Sequence, residues 1–265
     1  MRTILELSHT LFQTVLDVVY PPHCAACERP LLAPHFRFLC VSCWRFLKSH
    51  SKESCSRCGL PGGLRLNKPG GCPACHRKRQ VYATVHTAGP HAAPLRPLVH
   101  RLKFGARPDL ALPLARLLAS RLQDSPDLDL STIDWVVPVP LGKKRHKIRR
   151  YNQAALLAQH LATTLSIPWS SPLIRIQDTP PQSGKNRASR RRNVRHAFTV
   201  TEKLPQRPTI LLIDDVVTTG ATADACARAL KDAGARRVHL AATTRALPPK
   251  TQRMNRSLHS MSGHE

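Results

Sequence analysis

Between Val81 and Ala246 the apolar positions follow two periods in turn. In "VYATVHTAG" and "IDWVVPVP" they alternate or run together over a few residues, as strands do, whereas "PLRPLVHRLKF" and "DLALPLARLLASRLQ" repeat at three and four residues, as a helix face does. "YNQAALLAQHLATTL" continues the helical spacing, with Ala154, Leu157, Ala158, Leu161 and Leu165 on one stripe. Near the C-terminus "TILLID", "ATADACARALKDAGA" and "RVHLAATTRA" read as strand, helix and strand. Strands alternating with helices predict an α/β fold, a parallel sheet with helices on both faces.

The flanks break this pattern. In "MRTILELSHTLFQTVLDVVYPPHC" the apolar positions are interrupted by Glu6, His9, Gln13 and Asp17, so it reads as an amphipathic helix over 1–22 ended by Pro21 and Pro22, not as an export signal. Nowhere does the chain offer the roughly 18 apolar residues in a row that a membrane span needs, and a soluble, cytoplasmic protein is expected. The stretch 248–265 has no apolar period and reads as a disordered basic tail. Four segments result: the helix at 1–22, a cysteine-rich module at 23–79, the α/β domain at 80–247 and the tail. The 265 residues suffice for one such domain and a smaller appendage.

Charge narrows the partners. Lys and Arg number 41 against 16 Asp and Glu, a formal charge of +25, which attracts polyanions: nucleic acid, anionic lipid or phosphorylated metabolites. Charge alone does not choose among them.

Eight of the nine cysteines form four CxxC pairs: Cys24 and Cys27, Cys40 and Cys43, Cys55 and Cys58, Cys72 and Cys75. A CxxC turn presents two thiolates to one cation, and two such knuckles complete a tetrahedral zinc site, so eight ligands predict two structural zinc ions. Sequential pairing of the knuckles closes the shorter loops and is favoured over an interleaved cross-brace, which stays open. His23 and His76 read as neighbours, not ligands. Disulfides and thioredoxin-like redox pairs fit the missing export signal and the four repeats poorly. The segment is expected to fold around metal, not around a large core, so metal removal should unfold it and leave the main domain's site measurable. Cys226 reads as a small buried apolar residue.

The remaining signal is "TILLIDDVVTTGATADACARAL", Thr209 to Leu230. Ligands of open parallel sheets bind beyond the carboxyl ends of strands, where Asp214 and Asp215 are expected to fall. After them Val216, Val217, Thr218, Thr219, Gly220, Ala221 and Thr222 supply hydroxyls, a glycine and backbone N–H groups at a helix start, the arrangement that cradles phosphate. Paired carboxylates accept hydrogen bonds from vicinal hydroxyls, so acids plus phosphate loop predict a sugar-phosphate site.

"LLIDDVVTTGAT" resembles the phosphoribosyl pyrophosphate (PRPP) signature of type I phosphoribosyltransferases. With "VVPVPLGKKRHKIRRYNQAALLAQHLA", "LVHRLKFGARPDLALPLARLLA", "PQSGKNRASRRRNVRHAF" and the cysteine knuckles, the chain is similar to the ComF family, competence-associated proteins resembling amidophosphoribosyltransferases, from about Leu11 to Arg245. The resemblance implies that Asp214 and Asp215 are the catalytic acids holding the ribose hydroxyls, and that residues 216–222 hold the 5′-phosphate. It also implies a pyrophosphate loop from Pro140 to Lys144, with Leu141, Gly142 and Lys143 turned toward the ligand, Lys103 and Arg149 as cations, and Mg²⁺ accompanying PRPP. Asn152 reads equally as a helix cap. "QSGKNRASRRRNVRHAF" would be a flap over the substrate, in which Gln182, Arg187, Arg190 and Asn193 match the family and Arg191, Arg192 and Arg195 add charge for a polyanion. Where the family usually has glycine and phenylalanine before Asn152, this chain has Arg150 and Tyr151.

Two functions follow from the resemblance. One is a phosphoribosyltransferase acting on an unidentified acceptor. The other is a DNA-handling protein that binds PRPP and single-stranded DNA during uptake, with a competence helicase or DNA-processing proteins as candidate partners; few aromatics are available for stacking, so phosphate contacts would dominate. A PRPP-sensing regulator is a third, since fold does not fix function.

Overall fold

The computed structural model describes residues 22–31, 38–49, 54–60, 72, 75, 80–177, 196–201, 203–204 and 206–247. The N-terminal amphipathic helix, the flap residues Gln182, Arg187, Arg190, Arg191, Arg192, Asn193 and Arg195, and the basic tail lie outside the described residues, save for Pro22.

Four strands form one parallel sheet: β1 (Val85–Thr87), β2 (Trp135–Pro138), β5 (Thr209–Val217) and β6 (Arg237–Arg245), in the order β1-β6-β5-β2. The central strands read as apolar runs because both of their faces are covered, and Ile210 to Ile213 are fully buried. On one face lie α2 (Leu95–Phe104), α3 (Ala111–Gln123) and α5 (Gln153–Leu165); Leu114, Leu118, Leu157 and Leu161 pack there against Leu211 and Ile213. The opposite face carries α6 (Ala221–Asp232), whose Cys226 and Leu230 pack on Ile210 and Leu212, and an antiparallel hairpin of β3 (Leu173–Arg175) and β4 (Phe198–Val200). Of the predicted stripe on α5, Leu165 alone is half-buried.

Three features depart from the sequence reading. The strand expected over "VYATVHTAG" is only three residues long, its edge being taken by the cysteine-rich segment. The hairpin β3–β4 carries no pattern long enough to announce it. A helix α4 (Lys143–Arg149) begins at Lys143, where the sequence reading expects a loop.

The cysteine-rich segment is built into the domain. It contains a helix α1 (Val41–Ser49), and its Cys24, Ala25, Leu31, Leu39 and Leu47 share one apolar core with α2 and α3. Arg101 of α2 donates to the carbonyl of Ala25 over 2.6 Å and meets Glu28, and Arg121 of α3 donates to the carbonyl of Leu47 over 2.8 Å. The second half covers the free edge of β1, where Val85 N–H donates to the Ser56 carbonyl over 2.6 Å. Gly59 adopts φ +67 there, and a Cβ on it would stand 2.8 Å from Val85 Cγ1, so only glycine allows this approach. A module folding on metal alone therefore does not describe the first half, which also buries apolar side chains against the sheet's helices.

Candidate phosphate site and thiolate clusters

The eight thiols gather as two sets of four, Cys24 with Cys27, Cys40 and Cys43, and Cys55 with Cys58, Cys72 and Cys75, the sulfurs of each set lying within 4.8 Å of one another. Pairing is thus sequential. A zinc tetrahedron with bonds of about 2.3 Å has edges of about 3.8 Å. The Sγ to Sγ distances are 3.7 Å for Cys27 and Cys40, 3.8 Å for Cys55 and Cys75, and 3.6 Å for Cys58 and Cys72. Backbone N–H groups support the sulfurs, Cys40 donating to Cys24 Sγ at 3.4 Å and Cys72 to Cys55 Sγ at 3.3 Å. The donors and their spacing fit zinc, which would be held with all four positions closed and so serve structure. The second set is buried throughout, whereas Cys27 of the first is exposed. Cys226 stands apart on α6, and burial pushes its thiol well above the ordinary range.

The acid pair lies inside β5, not beyond its end: the strand runs through Asp214 and Asp215 to Val217. Successive strand residues face opposite sides of a sheet. Asp215 meets Lys103 of α2, Nζ to Oδ1 2.9 Å, and both side chains are largely buried. The Asp214 carboxylate accepts the Asp215 N–H over 2.8 Å, and its charge reaches Cys226 on the α6 side. Burial, then the neighbouring charge of Asp215, push Asp214 up to about 7 against the pull of Lys103.

Beyond Val217 the chain turns into α6 through Thr218, Thr219 and Gly220. Gly220 takes φ +80, and a Cβ there would stand 2.7 Å from Tyr82 Oη, so the turn requires glycine. Thr219 Oγ1 accepts the Ala221 N–H at 3.3 Å, and Asp224 N–H bonds back to the Gly220 carbonyl at 2.8 Å. Among the described residues none accepts from the amides of Thr218, Thr219 or Gly220. The carbonyls are taken instead: Arg245 donates to those of Val217, at 2.9 Å, and Thr218. Ala221 and Thr222 form the first turn of α6. Free amides at a helix start, with fixed carbonyls behind them, suit an anion.

The turn after β2 and the helix that follows it lie at the same carboxyl end of the sheet. Leu141 and Gly142 connect β2 to α4, with Gly142 capping the helix that Lys143 begins. Arg149 ends α4; its guanidinium lies 4.8 Å over the Phe104 ring, donates to Gln153 Oε1 at 3.2 Å, and feels both Asp215 and Asp214. Asn152 is the cap of α5, accepting the Ala154 N–H at 3.1 Å, and it also donates to the Val139 carbonyl at 3.0 Å. Arg150 takes φ +65 as the cap of α4. That left-handed conformation is what a glycine at this position would serve. Three further residues at this edge carry no site role in the sequence reading. His91 shares a 2.9 Å hydrogen bond with Thr244, and burial, aided by Lys103 and Arg96, lowers its pKa. Tyr82 and Arg245 brace the loop; the sequence places both only as members of predicted strands, Tyr82 in "VYATVHTAG" and Arg245 at the carboxyl end of "RVHLAATTRA".

A family model described as a double zinc ribbon domain matches residues 15–76, and one described as a phosphoribosyl transferase domain matches residues 109–256. The chain is thus a phosphoribosyltransferase-like α/β protein with a double zinc ribbon holding two Cys₄ sites. "DNA utilization protein YhgH" of Escherichia coli (strain K12) is 35% identical over 230 residues, covering 86% of this chain and 98% of that protein. "Competence protein F" of Haemophilus influenzae is 30% identical over 212 residues, 78% and 90% of the two chains. With these relatives and both domains, the chain belongs to the ComF family. Among solved structures, an adenine phosphoribosyltransferase aligns at 16% identity and a TM-score of 0.35, covering 57% of this chain and 78% of that one. No helix among the described residues is long and apolar enough to cross a membrane.

Proposed function

We propose that the protein binds PRPP with Mg²⁺ at the carboxyl edge of the sheet and couples this to handling single-stranded DNA. The observation that carries the first part is the acid pair of β5 standing beside three loop amides that no described residue uses. In this reading Thr218, Thr219 and Gly220 hold the 5′-phosphate through their N–H groups. Asp214 and Asp215 accept from the ribose hydroxyls, Asp215 exchanging its bond to Lys103, whose ammonium is then free for a phosphate oxygen. Arg149 and the Leu141–Lys143 turn face the pyrophosphate. Carboxylate oxygens suit a hard cation such as Mg²⁺, which when bound offsets negative charge on the pyrophosphate.

The DNA part rests on charge and on the relatives. The formal charge of +25 has its described counterpart in α4, whose sequence KKRHKIR holds no acid and buries no residue. One relative is named for DNA utilisation and another for competence. Eight free thiols held for metal suit the reducing cytoplasm. Calorimetry with PRPP-Mg, with and without a single-stranded oligonucleotide, tests both parts, and release of pyrophosphate in the same samples separates a transferase from a binding protein. Absence of heat with PRPP-Mg would end the sugar-phosphate reading.

A further inference from the structure

The second thiolate cluster and the phosphate loop meet on one side chain. Arg245, the last residue of β6, donates from Nε to the carbonyl of Cys58 over 2.6 Å. From Nη1 it donates to the carbonyls of Val217 and Thr218, and over 3.3 Å to that of Ala246. Cys58 is a member of the second cluster; Val217 and Thr218 are where β5 becomes the loop. A guanidinium is a rigid plane whose donors cannot move independently. A shift of the Cys58 carbonyl therefore tilts the donors that fix the loop.

Neighbouring contacts brace the same junction. Ser56, inside the Cys55–Cys58 knuckle, takes the Val85 N–H, and Thr87 Oγ1 reaches the Gly59 carbonyl at 3.5 Å. The knuckle itself is closed by the Gly59 N–H on the Cys55 carbonyl at 2.7 Å. On the loop side, buried Tyr82 lies against Gly220. The first cluster is tied elsewhere, to α2 and α3 through Arg101 and Arg121. No bond from it to the loop occurs among the described residues.

We infer that Arg245 is a positioning residue for the phosphate loop, and that metal in the second cluster, not in the first, fixes the shape of that loop. The inference rests on the phosphate-site reading for its consequence, a ligand affinity that follows zinc occupancy, but the coupling itself is a property of the unliganded chain. It runs against the expectation of a metal module that can unfold while the main domain's site persists. Thr218 to Gly220 keep their amides turned to a ligand only while the carbonyls of Val217 and Thr218 stay in the grip of the guanidinium, and that grip is referenced to Cys58.

The test is amide exchange of the peptide spanning residues 214–224, where the N–H groups of Asp215, Ala221 and Asp224 have acceptors whose positions follow the loop, in the full-length, zinc-loaded protein without ligand. Six forms are compared: wild type, Arg245→Met, Arg245→Lys, Cys55→Ser with Cys58→Ser, that pair combined with Arg245→Met, and Cys27→Ser. Exchange is expected to quicken about tenfold in Arg245→Met and in the double cysteine variant, as for loss of charge-assisted hydrogen bonds. Combining the two should add nothing further, Arg245→Lys should fall between, and Cys27→Ser should match wild type. Zinc content of Arg245→Met is expected to stay at two per chain. Wild-type exchange in Arg245→Met, simple additivity of the two changes, or loss of the second zinc in Arg245→Met each overturns the inference. If the cysteine variants unfold altogether, stepwise zinc removal from the wild type by a chelator takes their place: exchange should stay unchanged while the first zinc leaves and quicken as the second does, and quickening with the first zinc overturns the inference. PRPP-Mg titration of the same proteins should show affinity falling in step with protection. Absence of binding by wild type would defeat the functional reading while the exchange data still settle the coupling.

Discussion

Lys103 Nζ lies 2.9 Å from Asp215 Oδ1, while Asp214, one residue earlier on β5, has no cation within bonding distance among the described residues. The pair is thereby split into one neutralised acid and one burdened acid. Desolvation and the charge of Asp215 raise Asp214 to about 7, whereas in the unfolded chain it titrates near 3.8. Between these values the folded state holds the extra proton, so stability falls as pH rises through the window and levels off above it. Asp214→Asn cannot ionise and keeps the acceptor for the Asp215 N–H. Its melting temperature should match wild type near pH 4, pull ahead as pH approaches 7 and stay ahead by a constant margin at pH 8. PRPP-Mg affinity should meanwhile drop about tenfold to a hundredfold, the loss of a charge-assisted bond. A melting difference that does not vary with pH would refute the burdened carboxylate.

The thiolate clusters differ in access, and metal release should show it. Cys27 is exposed, while all four sulfurs of the second cluster are buried. Purified protein is expected to hold two zinc ions per chain and to yield them to a colorimetric chelator in two phases of equal size. Cys27→Ser should remove the fast phase and leave the slow one unchanged. A single phase in the wild type would mean that the clusters open together.

Much of this architecture is legible in the chain because its signals are local. The apolar runs of β5 and β6 are long, the α5 stripe is regular, and four CxxC spacings announce two metal sites regardless of how the chain packs. The features that sequence does not announce depend on contacts between distant residues. Nothing near Arg245 signals that it bonds to Cys58, 187 residues away. The edge of β1 is shortened by Ser56, which the pattern of "VYATVHTAG" does not contain. The hairpin β3–β4 has strands of three residues each, too short for any period to register. Asp214 and Asp215 read as lying beyond the strand because acids are poor strand formers. The register of β5 on β6, with Asp214 beside Ala242 and Val217 beside Arg245, carries the strand through them.

Single-stranded DNA binding should report its own electrostatics. Replacing Arg190, Arg191 and Arg192 with alanine removes three candidate partners of backbone phosphates, and each phosphate left unneutralised lowers the slope of log K against log salt by about 0.7 for a single strand. The triple variant is expected to bind more weakly, with a slope smaller by about 2. An unchanged slope would place the DNA elsewhere, and α4 is then the surface to alter, beginning with the exposed Lys147, which lies outside the Leu141–Lys143 turn.

Arg150 ends α4 at φ +65, ψ −17, with its N–H on the His146 carbonyl. A side chain in this left-handed region meets its own carbonyl, at a cost of roughly 1 to 2 kcal/mol that glycine avoids. Glycine in turn loses more backbone freedom on folding, about 0.4 to 1 kcal/mol relative to alanine. The comparison that isolates the conformation is therefore Arg150→Gly against Arg150→Ala, since both lose the same exposed guanidinium. Arg150→Gly should be the more stable by up to about 1.5 kcal/mol, read as a higher denaturant midpoint at unchanged slope. Because Arg149 precedes it and Tyr151 Oη holds the Leu102 carbonyl at 2.7 Å, the turn also sets where Arg149 stands relative to Asp215. PRPP-Mg affinity should consequently be the same in both variants if the turn keeps its shape. Alanine equal to or more stable than glycine would show that the turn relaxes out of the left-handed region when the arginine is gone.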